Sequence, residues 1–86
     1  MITKKIVWNI VALEKDLILN DDFINLSLQR KIFSQRMLKD VMRNEPPSLD
    51  YCMKLLCRGP DAFTQFIDIL IETKQNDIVV LLLATT

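Results

Sequence analysis

The groups in this chain with reactive potential are two thiols and a scatter of carboxylates, and their spacing argues against catalysis. Cys52 and Cys57 lie five residues apart in an apolar stretch. On a helix that spacing puts them on different faces, so neither a disulfide between them nor a shared metal site is natural. The chain has no His, which removes the mixed Cys/His zinc site and any His-based triad. Both thiols are expected to be buried and reduced, as in a cytosolic protein. Asp21-Asp22 is the one adjacent carboxylate pair, and a place at the start of a helix explains it without acid–base work. A single Gly leaves no material for a phosphate-cradling loop. The expectation is a protein that is not an enzyme, with no cofactor and no metal.

Charge carries more information. Eleven Lys/Arg balance eleven Asp/Glu, yet residues 1–43 hold eight of the bases and five of the acids, while residues 44–86 hold three and six. A chain basic in one half and acidic in the other can present two complementary faces to partners. Arg36, Lys39 and Arg43, preceded by Arg30-Lys31, make a basic surface about one helix long, and a helical nucleic-acid reader is the alternative this raises. Zero net charge and the lack of an Asn/Gln/Arg base-reading triplet weigh against it, so no nucleic acid is expected as partner.

The elements that must position these charges are helices. One Gly and three Pro give too little turn chemistry for a protein of many hairpins. Six segments can be marked. The first, about Thr3 to Leu17 with Thr3 as N-cap, carries Ile6, Ile10, Leu13 and Leu17 on one stripe, widened by Val7 and Val11. Trp8 falls off that stripe and is read as core filling, with an exposed anchor as the alternative. Asn20 caps the second, with Leu19 and Ile24 placed for a hydrophobic staple. Ile32 and Phe33 are too apolar for a solvated link and should plug the core. Ser34 caps the third, with Met37, Leu38, Val41 and Met42 inward; it stops before Pro46. Ser48 caps the fourth, which buries Leu49, Cys52, Leu55 and Leu56. Gly59-Pro60 closes that helix and opens the fifth, where Phe63, Phe66, Ile67 and Leu70 repeat at helical spacing. Asn76 caps the sixth. Residues 1–86 therefore read as a single all-α domain, a compact antiparallel bundle. Ile6–Leu13 is broken by Asn9 and followed by charges, so no signal peptide is expected. Ile78–Ala84, the longest apolar run, is too short to span a bilayer, so no membrane partner and a cytoplasmic location are expected.

From about Lys4 to Thr85 the order of segments resembles the caspase-recruitment domain of the death-fold superfamily. Four stretches carry the resemblance. Ala12-Leu13-Glu14-Lys15-Asp16 and Arg43-Asn44-Glu45-Pro46 are similar to the recruitment domain of apoptotic protease-activating factor. Arg58-Gly59-Pro60-Asp61-Ala62-Phe63, the most specific, and Glu72-Thr73-Lys74-Gln75 are similar to prodomains of initiator caspases. The resemblance implies a six-helix Greek-key bundle with a kinked first helix. It also implies homotypic binding to another domain of the kind, in a caspase, scaffold or adaptor, with self-association possible. Lys5, Lys15, Lys54 and Arg58 would supply the basic surface; Asp21, Asp22 and Asp40 would supply the acidic one. The chain departs from the pattern in two places. Trp8-Asn9-Ile10-Val11 stands where caspase prodomains often carry arginines, and the second and third segments carry Arg30, Lys31, Arg36, Lys39 and Arg43. If the 86 residues are a whole protein, a free-standing decoy that occupies a partner is the alternative function.

Overall fold

Helix after helix follows along the chain, with no strand among the described residues. The computed structural model describes residues 2–84, with side chains from Lys4 onward. The helices are α1 (Ile2–Trp8), α2 (Ile10–Asp16), α3 (Asp21–Gln29), α4 (Gln35–Arg43), α5 (Pro47–Leu56), α6 (Pro60–Glu72) and α7 (Asn76–Ala84).

The count is seven because the expected first helix is broken at Asn9. In an unbroken helix the Asn9 N–H would donate to the Lys5 carbonyl. Instead the Asn9 side chain takes that acceptor, Nδ2 donating at 2.7 Å. The backbone N–H tightens onto Ile6 O at 3.2 Å, and α2 restarts with Leu13 N–H on Asn9 O at 2.8 Å. Local side-chain competition of this kind is how Asn bends a helix. The break turns Val7, Trp8 and Val11 outward. Trp8 is 72% exposed and Val11 73%, so neither fills the core, and the stripe is not widened on that side. Lys4 Nζ lies 4.6 Å over the Trp8 ring, a cation–π contact.

The caps divide. Asn20 and Ser34 accept from the backbone N–H of Phe23 (2.9 Å) and Met37 (3.2 Å), as the sequence implies. Three expected caps do otherwise. Thr3 already lies inside α1, and Asn76 is the first residue of α7, whose opening N–H groups reach Gln75 O. Ser48 is inside α5, because Pro47 is preorganised for the first turn and Pro46 takes the capping position. The Ser48 hydroxyl is turned instead onto Glu14 O, 2.8 Å, an end carbonyl of α2.

Two helices end in the same way without the glycine that usually marks it. After α3, Lys31 N–H bonds Leu28 O and Ile32 N–H bonds Ser27 O, with Lys31 at φ 57°. After α6, Lys74 N–H bonds Ile71 O and Gln75 N–H bonds Leu70 O, with Lys74 at φ 62°. These are Schellman closures with a left-handed Lys in the position Gly favours. Gly59, expected to close the preceding helix, lies past its end: Cys57 is the C-cap of α5, and Gly59, at φ 91°, is the N-cap residue from which Pro60 opens α6.

All seven helices contribute to one core. Helix α5 lies centrally, packed against α1, α2, α4 and α6, while α3 rests on α6 and α7 on α1 and α6. At its middle is Tyr51, fully buried, with ring centroids of Phe33, Phe23 and Phe66 at 4.8, 5.3 and 5.7 Å. Its hydroxyl meets Ser27 Oγ at 2.7 Å, and Ser27 Oγ donates to Phe23 O at 2.9 Å. The serine proton is thereby used, so Tyr51 is the donor to Ser27. Ile32 and Phe33 are buried as expected, and so are Phe63, Phe66 and Leu70. Met42 and Met53 are not core: each is about half exposed. Cys52 is buried but Cys57 is exposed, which corrects the expectation for the second thiol.

Candidate interaction surface

The charged residues singled out by sequence meet different fates, and several are engaged within the chain. Lys5, on α1, donates from Nζ to Leu82 O at 3.1 Å. That carbonyl is in the last turn of α7, where orphan acceptors and the negative end of the helix dipole favour a cation. Arg58 donates from Nε to Ile32 O at 2.8 Å, tying the α5–α6 turn to the α3–α4 link. It neither satisfies its own helix end nor stands wholly free for a partner.

Lys54 and Asp40, expected on opposite faces, are brought together. Lys54 Nζ is 2.6 Å from Asp50 Oδ2 and 3.1 Å from Asp40 Oδ2. The hydrogen bonds to Asp50 and then to Asp40 hold the ammonium protonated above the ordinary lysine range. Arg30 is used in the same manner: its guanidinium reaches Glu72 at 2.6 Å, Asp68 at 3.5 Å and Gln65 Oε1 at 3.0 Å. Part of the complementarity between the basic and acidic halves of the sequence is thus satisfied inside one molecule. Lys15 on α2, and Asp21 and Asp22 in the first turn of α3, are exposed and form no ion pair among the described residues.

Three of the remaining cations share α4. Arg36, Lys39 and Arg43, at i, i+3 and i+7, share one side of the helix. With Lys54 of α5 they line an open basin of about 470 Å³ in which Asp40 is the only carboxylate. Next to it, between α3 and α4, runs an apolar groove of about 370 Å³ walled by Ile24, Leu28, Leu38 and Met42, with Lys39 and Arg43 on its rim. The basic triplet is legible in the sequence by spacing. The groove is not, because the same spacing assigns Met42 to the core.

One further polar arrangement carries no signal in the sequence and proves structural. Gln75, buried, clasps Ile18 in both directions: Oε1 accepts from Ile18 N–H at 2.9 Å and Nε2 donates to Ile18 O at 3.1 Å. Burial pushes the Cys52 thiol up to about 12, which keeps it protonated and unreactive, and burial likewise raises Tyr51 above its ordinary value. Among the described residues no group of His, Cys, Asp or Glu is arranged to hold a metal ion, and no helix is long and apolar enough to cross a membrane. No protein-family model, curated protein or solved structure matches this chain.

Proposed function

We propose that this chain is a caspase-recruitment-type module of the death fold, a six-segment Greek-key bundle whose split first segment counts as one helix. It works by homotypic association with another domain of that kind in apoptotic signalling. The observation that carries the reading is the break at Asn9, between Lys5 O and Ile6 O as acceptors, in a chain whose resemblance implies a kinked first helix. The stretch Arg58–Phe63 adds support, since its residues have positional work. Arg58 holds Ile32 O, Gly59 adopts positive φ, Pro60 opens α6 and Phe63 is buried.

The binding faces are drawn from charges that form no ion pair among the described residues: Arg36, Lys39 and Arg43 on α4 and Lys15 on α2 are the basic candidates, and Asp21 and Asp22 the acidic ones. Lys5, Lys54, Arg58 and Asp40 serve intramolecular contacts first. Long-range attraction between such faces steers encounter and falls with ionic strength. A screen against isolated recruitment domains of initiator caspases and scaffolds, read with light scattering for self-assembly, tests the proposal. Saturable binding to one of them supports it, and silence from the whole set with a folded chain refutes it.

A further inference from the structure

The groove between α3 and α4 sets apolar side chains that the homotypic reading does not use beside cations that it does. Ile24 and Leu28 are one turn apart on α3, and Leu38 and Met42 one turn apart on α4. The two helices are not packed closely against each other, so half-buried Ile24 and Leu28 face exposed Met42 across an open trough whose floor is buried Leu38. Met42 is 48% exposed, and a flexible thioether at such a place adapts to what lies against it. Lys39 and Arg43 stand on the rim, and neither side chain forms an ion pair or hydrogen bond among the described residues. The basin on the far side of that rim adds Arg36.

We propose that this groove takes an acidic amphipathic helix, its apolar stripe laid between the two rows and its carboxylates paired with Lys39, Arg43 and Arg36. The shape selects a helix. An extended partner gains its main-chain bonds by adding to a sheet edge, and no strand exists among the described residues to offer one. Two rows of i, i+4 side chains instead match the i, i+4 stripe of a helix. The charge selects acid: the groove and basin together are lined by four cations and one carboxylate, Asp40, which is already on Lys54. A nucleic acid is disfavoured, since a phosphate backbone gains nothing over Ile24, Leu28 and Met42 and meets Asp21 and Asp22 at the head of α3. The inference does not rest on the homotypic reading, because its partner is an isolated helix rather than a bundle.

The test uses the whole chain and methyl-resolved NMR, with a synthetic helical peptide of about 16 residues. Leucines occupy one stripe and glutamates flank it. One control replaces the glutamates by lysine, and another keeps them and replaces the leucines by glutamine. The Leu/Glu peptide should give saturable shifts at the Ile24, Leu28 and Met42 methyls, and both controls should fail. In a variant carrying Lys39→Glu and Arg43→Glu, both at exposed positions, affinity should fall about tenfold or more. The wild-type comparison among the three peptides stands even where that variant folds poorly. Equal binding of the lysine control, shifts that map elsewhere, or no saturable shift overturns the proposal. So does duplex DNA or a phosphatidylserine vesicle moving the same methyls where the Leu/Glu peptide does not.

Discussion

The hydroxyl pair in the core can be dissected by a double-mutant cycle whose outcome is asymmetric. Tyr51 and Ser27 are both fully buried, 2.7 Å apart, and Ser27 has already given its proton to Phe23 O. Tyr51→Phe removes the donor only. Ser27 keeps its own bond, so the loss is that of one neutral hydrogen bond, about 1 kcal/mol. Ser27→Ala removes the acceptor and strands the phenolic O–H where no water reaches it, which costs about 2–3 kcal/mol. With both substitutions no polar atom is stranded, and the total cost should be about 1–2 kcal/mol, well below the sum of the singles. For a domain of this size, stability is on the order of 5–10 kcal/mol, so all three variants should stay folded. Urea unfolding followed by circular dichroism, with a common slope, gives the three values. Additivity within about 0.5 kcal/mol would contradict the Tyr51–Ser27 bond, since it would mean the two hydroxyls are not coupled.

The two thiols should separate in reactivity: a disulfide reagent modifies exposed Cys57 promptly and Cys52 only when the chain opens, and equal rates in the native state would contradict the burial of Cys52. Because folding raises the Cys52 value from 9.0 to about 12, the unfolded chain loses that proton first as pH rises. The thiol should therefore leave stability unchanged below about pH 9 and lower it by about 1.4 kcal/mol per pH unit above; Cys52→Ala should flatten the slope between about pH 9 and 10, before Tyr51 adds its own. Lys74→Gly relieves a left-handed residue that forms a Schellman closure, and should raise stability by about 0.5–1 kcal/mol, visible as a higher Tm; an unchanged or lower Tm would contradict the φ of 62°.

The helical class and most of the core were legible because period and cap chemistry are local. Phe63, Phe66 and Leu70 repeat at helical spacing and are buried; Asn20 and Ser34 precede their helices and cap them. The errors arise where a residue answers to something distant in sequence. Ser48 has the right type for a cap but is drawn to Glu14 O, 34 residues away. Met42 and Val11 fit an apolar stripe yet face outward, because which neighbours close over a stripe is set by packing and not by spacing. Lys31 and Lys74 end helices without the Gly or Asn that would have announced it. The candidate surface divides along the same line. The run Arg36, Lys39, Arg43 can be read along one helix, whereas the capture of Lys54 by Asp40 and of Arg30 by Glu72 depends on which helices meet.

Calorimetric titration of the chain with isolated recruitment domains of initiator caspases and their scaffolds, repeated over a range of salt concentrations, tests homotypic association. Saturable binding to at least one of them is expected, with affinity that falls as salt rises. Binding should also be lost with Lys15→Glu and Arg36→Glu, exposed substitutions that should leave the helical signal and Tm unchanged. Absence of binding to every such domain at low salt, with the chain folded, would contradict it; so would binding that is indifferent to both salt and those reversals.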